Sequence, residues 1–179
     1  MPPEIANLPL LTYLLLYDND LSGALPSEIG ALTKLTHFYV WDNNQLAGTI
    51  PEEIGLMTAL QNAYLYGNAF TGPIPTTIDQ LTDLVQLYLY GNQLDGPIPT
   101  AIAELTALTH LYLNGNALSG AIPNEIEHLT MLTNFNVADN KLIGAEPGIC
   151  VIKEKITIEC TLSANTEWGD PAFCPACLN

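Results

Sequence analysis

Apolar and polar residues alternate along this chain in short bursts that recur at a fixed interval. In LVQLYLYGNQLDGPIP, from Leu84 to Pro99, Leu87 and Leu89 alternate with Tyr88 and Tyr90. That is the period of a strand, with leucines on one face and phenol rings on the other. The GNQLDG segment after it predicts a turn, and Ile98-Pro99 predicts a buried side chain at a point where helix formation stops. Equivalent bursts begin at Leu8, Leu32, Met57, Leu81, Leu105 and Leu129, which makes six copies of about 24 residues. One extra residue enters the second copy, around Asn43-Asn44. One copy cannot bury its own leucines, whereas stacked copies make a continuous apolar column.

Each copy follows LxxLxxLxLxxNxLxGxIPxxI, which resembles the leucine-rich repeat, and its LxGxIP part is similar to the plant-type subclass. The resemblance runs from residue 8 to about 149. It implies an α/β repeat solenoid with one short strand per repeat in a parallel concave sheet, the chain returning over a convex side of turns and 3-10 segments. On this reading residues 1–7 are the remnant of a preceding repeat, since Pro2-Pro3-Glu4-Ile5 repeats the IPxEI pattern, residues 8–149 are six repeats, and 150–179 form a C-terminal cap. The recurrent Asn19, Asn68, Asn92, Asn116 and Asn140, with Asn43 or Asn44 in the second copy, are expected to satisfy backbone groups at a tight turn.

Cys150, Cys160, Cys174 and Cys177 all fall in the tail. They resemble the disulfide-bonded cap of extracellular arrays of this family, with three pairings open. A four-cysteine zinc site is the competing reading, because Cys174 and Cys177 have ligand spacing. The disulfide reading places the protein outside the cell or on its surface. No basic segment followed by an apolar stretch opens the chain, so it carries no recognisable secretory signal.

The eight tyrosines all lie in the strand segments. With leucines inward, the pleat turns the rings onto the open face in two columns. One holds Tyr39, Tyr64, Tyr88 and Tyr112, and the other Tyr17, Trp41, Tyr66 and Tyr90. Tyr39, Trp41, Tyr64, Tyr66, Tyr88, Tyr90 and Tyr112 are therefore the candidate ligand-binding residues, since exposed aromatic surface is a mark of recognition sites. Aromatic ladders on neighbouring strands also support one another, which accounts for part of the pattern.

A net charge of −15, with 4 Lys and no Arg, excludes nucleic acid and anionic membrane surfaces as partners. A protein or peptide of basic or neutral character, or a neutral glycan, is expected, with ring faces open to cations. Neither a catalytic motif nor a cofactor or metal site appears; His37 and His110 share a column but sit three strands apart. The alternative is a structural spacer that dimerises through its N-terminal end.

Overall fold

The computed structural model describes residues 1–43 and 45–143. The tail from 150 to 179 with its four cysteines, and Asn44, lie outside the described residues. Strands β1 (Tyr13–Leu15), β3 (His37–Tyr39), β5 (Asn62–Tyr64), β7 (Gln86–Tyr88), β9 (His110–Tyr112) and β11 (Asn134–Asn136) form one parallel sheet in that order. Between them run the short strands β2 (Ser22–Gly23), β4 (Gln45–Thr49), β6 (Ala69–Gly72), β8 (Gln93–Leu94), β10 (Ser119–Gly120) and β12 (Lys141–Leu142). These pair as β2-β4-β6-β8 and β10-β12, and a Pro97–Ser119 bridge links the two groups. Six 3-10 turns line the convex side: Pro3–Asn7, Ser27–Ala31, Glu52–Leu56, Thr76–Gln80, Thr100–Glu104 and Asn124–His128.

Every coil places the same residues at the same height. Leu14, Phe38, Ala63, Leu87, Leu111 and Phe135 are paired neighbours in the sheet, and all are buried. Ala63 is small for its column, and the same coil carries Phe70 where the others carry leucine. Phe70 is fully buried, so the volume lost on the strand is restored on the next segment of the coil.

The prolines act differently from the sequence expectation. Pro26, Pro51, Pro75, Pro99 and Pro123 each stand immediately before a 3-10 turn, with ψ between 135 and 146. Each begins the convex turn instead of stopping a helix, because a fixed φ and the missing N–H suit a position ahead of the first turn. The isoleucine before each of the last four is buried.

The asparagines join coil to coil. Asn92 Nδ2 donates to Leu65 O at 3.0 Å in the previous coil and to Leu89 O at 3.0 Å in its own, while its Oδ1 accepts from Phe70 N at 3.1 Å. Asn116 and Asn140 repeat this pattern, with Leu94 N and Leu118 N as donors. In the second copy Asn43 takes the position, donating to Leu16 O at 2.8 Å. The extra residue therefore falls after it, and one contact changes as a result. Asn68 Oδ1 accepts from Asn43 N at 3.2 Å, and Leu46 N turns to Asn43 O at 2.7 Å. The side-chain ladder thus passes the insertion without a break.

At the first coil Leu10 is 82 % exposed and Leu15 48 %. Asn19 there is exposed and bonds only carbonyls of its own turn, those of Leu16 and Tyr17. The two ends of the ladder make a direct comparison. Asn92→Ala strands buried carbonyls and an N–H, and is expected to cost about 2–5 kcal/mol in urea unfolding. Asn19→Ala should cost less than about 1 kcal/mol, because water can replace its bonds.

Candidate functional site

The concave sheet is uncovered among the described residues: its strands pack edge to edge, and no other element packs across them. The sheet register aligns Leu15, Tyr39, Tyr64, Tyr88, Tyr112 and Asn136 in one column. Tyr39 and Tyr64 stack with centroids 4.2 Å apart and planes within 3°, and Tyr64 and Tyr88 at 4.5 Å and 5°. Tyr112 closes this ladder edge-on to Tyr88 at 66°. One pleat further along, Tyr17 stacks on Trp41 at 4.4 Å, Trp41 on Tyr66 at 5.2 Å, and Tyr66 on Tyr90 at 4.3 Å. The ladders touch where Tyr88 lies 6.4 Å from both Tyr66 and Tyr90. All seven candidate residues therefore belong to one surface.

The stacking follows from the backbone. Parallel strands in register hold equivalent side chains ~4.8 Å apart, close to the separation at which aromatic rings stack. On sequence alone the ring faces are open to cations. In the structure the faces of the inner rings are occupied by their neighbours, so edges and hydroxyls meet the solvent. Cation–π contact requires approach over a face, and these rings do not offer one.

The hydroxyls are held neutral. Tyr39 is pushed up to about 12, first by burial and then by Tyr64 beside it. Burial also raises Tyr64, Tyr66, Tyr88 and Tyr90, with Asp42 adding to the last and to Tyr66. Tyr64 donates its hydroxyl hydrogen to Gln86 Oε1.

A third column, Tyr13, His37, Asn62, Gln86, His110 and Asn134, is polar and largely self-bonded. Thr36 donates to Thr12 O at 2.9 Å, so its oxygen is free to accept from His37 Nδ1 at 2.9 Å. His37 Nε2 lies 3.1 Å from Asn62 Nδ2, and only the Nδ1–H tautomer satisfies both contacts. Thr109 and His110 repeat the first half of this arrangement, with Val85 O as the acceptor. The Thr-His pair at equivalent positions of two repeats is the sequence signal for it. On sequence alone the two histidines read as a column pair three strands apart, too far for one metal or a relay.

Asp18, Asp42 and Asp139 take the residue ahead of the ladder asparagine, at φ of 54, 51 and 53. Gly67, Gly91 and Gly115 occupy the same position in the other coils, since few residues accept that conformation. Asp42 folds its carboxylate across Gly67, where a Cβ would collide with it. Ala138, at the end of the second ladder, is 4 % exposed and adds nothing to the surface.

Unfolded tyrosine ionises near 10, whereas Tyr39 resists until about 12. Its stabilising contribution is whole below pH 10 and lost as pH rises toward 12. Unfolding midpoints should fall across that window, and Tyr39→Phe should soften the fall.

The Leucine Rich Repeat family model matches residues 10–32, 83–105 and 107–129. No curated protein matches the chain in sequence. Among solved structures, the plant peptide hormone receptor RGFR1 in complex with RGF2 is 36 % identical over 93 % of this chain and 26 % of its own, with a TM-score of 0.88. The leucine-rich repeat ectodomain of the membrane receptor kinase GASSHO1/SCHENGEN3 from Arabidopsis thaliana, in complex with CASPARIAN STRIP INTEGRITY FACTOR 2, is 36 % identical over 91 % and 20 %, with a TM-score of 0.86. A chain of the BIR3–SERK2 complex from Arabidopsis thaliana is 36 % identical over 69 % of both, with a TM-score of 0.57. The chain thus spans about a quarter of RGFR1 and less of GASSHO1. With its repeats matched and this fold in common, the chain belongs to the leucine-rich repeat proteins of the plant type.

Proposed function

We propose that the concave face is an extracellular recognition surface for an extended peptide, free or as a segment of a protein. The observation that carries this reading is the open pair of aromatic ladders, which turn ring edges and neutral hydroxyls toward solvent. Strands at ~4.8 Å spacing make six of them roughly 25 Å across, enough for about seven extended residues. Peptide N–H and side-chain ammonium or guanidinium groups match the hydroxyl oxygens, which can accept even where the hydrogen is already given, as Tyr64 gives its own to Gln86. A neutral glycan is the poorer fit, because sugar rings stack on aromatic faces and those of the inner rings are taken. Similarity to a peptide hormone receptor and to a receptor ectodomain with its factor supports both the ligand class and the extracellular setting.

The ligand is basic on this reading. No lysine or arginine stands in the three concave columns, and Asp18 and Asp42 flank the second ladder. Binding is the whole of the proposed activity, with Tyr64, Tyr66, Tyr88 and Tyr90 at its centre. The four-cysteine tail is assigned to disulfides in keeping with that setting.

A second reading rests on the first coil, where Leu10, Leu15 and Tyr13 are exposed together. A second copy of the chain could pair there. Light scattering over a dilution series would show a dimer that Leu10→Glu abolishes, and a monomer at every concentration removes this reading.

A displayed random peptide library separates recognition from a purely structural ladder. Wild type should enrich peptides rich in Lys and Arg, and their binding should weaken with salt. Alanine at Tyr64, Tyr66, Tyr88 and Tyr90 together should weaken binding at least about tenfold, since aromatic anchors dominate such interfaces. Those side chains lie outside the core, so the fold should persist. Equal binding by wild type and variant would move the site elsewhere.

A further inference from the structure

The polar column beside the first ladder is closed at its start and open in its middle. Tyr13 stacks on His37 at 4.4 Å, and His37 Nε2 accepts from Asn62 Nδ2. Gln86 and His110 follow on the next two strands, directly paired in the sheet. Each is fixed through one of its two polar atoms. Tyr64 gives its hydroxyl hydrogen to Gln86 Oε1, which leaves Nε2 as the free end of that amide. Thr109 gives its hydrogen to Val85 O at 3.0 Å, so its oxygen accepts from His110 Nδ1–H at 2.8 Å. In the neutral ring Nε2 is then a bare acceptor.

Neither Gln86 Nε2 nor His110 Nε2 has a partner among the described residues, and neither is shut off from solvent. A donor and an acceptor thus stand one strand apart, ~4.8 Å, each with its sign fixed by the bond behind it. The rings of Tyr88 and Tyr112, each 6.4 Å from the His110 ring, border the pair on the ladder side. The neighbours in the column are less definite. Asn62 carries an amide hydrogen beside its Oδ1 and presents both signs at once. Asn134 Oδ1 is engaged by Thr133 at 2.9 Å.

We propose that Gln86 and His110 read a primary carboxamide, the side chain of an asparagine or glutamine in the bound peptide. Its oxygen accepts from Gln86 Nε2, and its syn N–H donates to His110 Nε2. A carboxamide carries both groups on one edge, whereas a trans peptide unit points its N–H and C=O in opposite directions. A carboxylate would set oxygen against the His110 lone pair, and an ammonium would find no acceptor at Gln86 Nε2. The inference rests on the concave face binding a peptide, and it adds a neutral, sequence-reading contact to the preference for a basic ligand.

Peptides selected on the wild-type protein from a displayed random library test it. Asn or Gln should be enriched at one fixed position among the lysines and arginines. An apolar twin, with leucine for that asparagine or methionine for that glutamine, should bind about tenfold more weakly, as expected for two lost hydrogen bonds. Gln86→Glu keeps an oxygen for the Tyr64 hydroxyl and turns the donor into an acceptor, and His110→Phe keeps a ring and removes the acceptor. In each variant the preference for the carboxamide peptide over its twin should fall to about twofold or less. In wild type, the nitrogen resonance of His110 Nε2 should move with the carboxamide peptide and stay in place with the twin. Basic peptides selected without a fixed Asn or Gln overturn this inference and leave the peptide-binding reading standing. Equal binding of both twins by wild type overturns it too; if Gln86→Glu then weakens both alike, the pair reads peptide backbone instead. A library that yields no binder removes both readings.

Discussion

No coil of this chain can satisfy its own backbone; the adjoining coil does so. The concave strands are only three residues long, and their hydrogen bonds run between coils. At the turn after each strand, the ladder asparagine supplies what the ladder of backbone bonds lacks. It reaches a carbonyl of the preceding coil and accepts an N–H from it, as Asn92 does with Leu65 and Phe70. Buried peptide groups without partners are expensive, so this bonding fixes the phase of one coil on the next. The strength of the constraint shows at the second copy, where an added residue changes a donor and leaves the stacking intact.

Columns follow from fixed phase. Equivalent residues stand one strand apart, so leucine meets leucine inside and ring meets ring outside. The aromatic ladders are thus both packing and surface. Stacking orders the rings and gives the sheet face a rigid, low-entropy array of hydroxyl edges, which suits recognition. The same stacking removes the faces of the inner rings from use. Chemistry at this face is accordingly hydrogen bonding with a negative border, and the acidic residues owe their place to a turn that accepts a left-handed residue.

Much of this was legible in the sequence because a repeat turns spacing into register. The alternation of Leu87, Tyr88, Leu89 and Tyr90 was enough to assign inside and outside, and the 24-residue interval aligned Tyr39, Tyr64, Tyr88 and Tyr112. The features that escaped depend on torsions and on clearances between coils. Asn43 and Asn44 look alike until the turn is closed. Ring planes cannot be read from spacing, so the loss of the ring faces was invisible. Pro51 and its equivalents start turns because the residues after them close a 3-10 turn, and the sequence pattern showed only that helix was excluded. The closeness of successive convex turns also depends on coordinates, and Gly30 and Gly55 hint at it only by their smallness.

The most direct measurement is hydroxyl-radical footprinting of the intact protein, read residue by residue by mass spectrometry. Phenol edges that point into solvent should be oxidised at Tyr39, Tyr64, Tyr66, Tyr88 and Tyr90, while the enclosed rings of Phe38, Phe70 and Phe135 stay unmarked. Oxidation of those tyrosines no greater than that of the phenylalanines would mean the concave face is closed, and the account of this surface would fail.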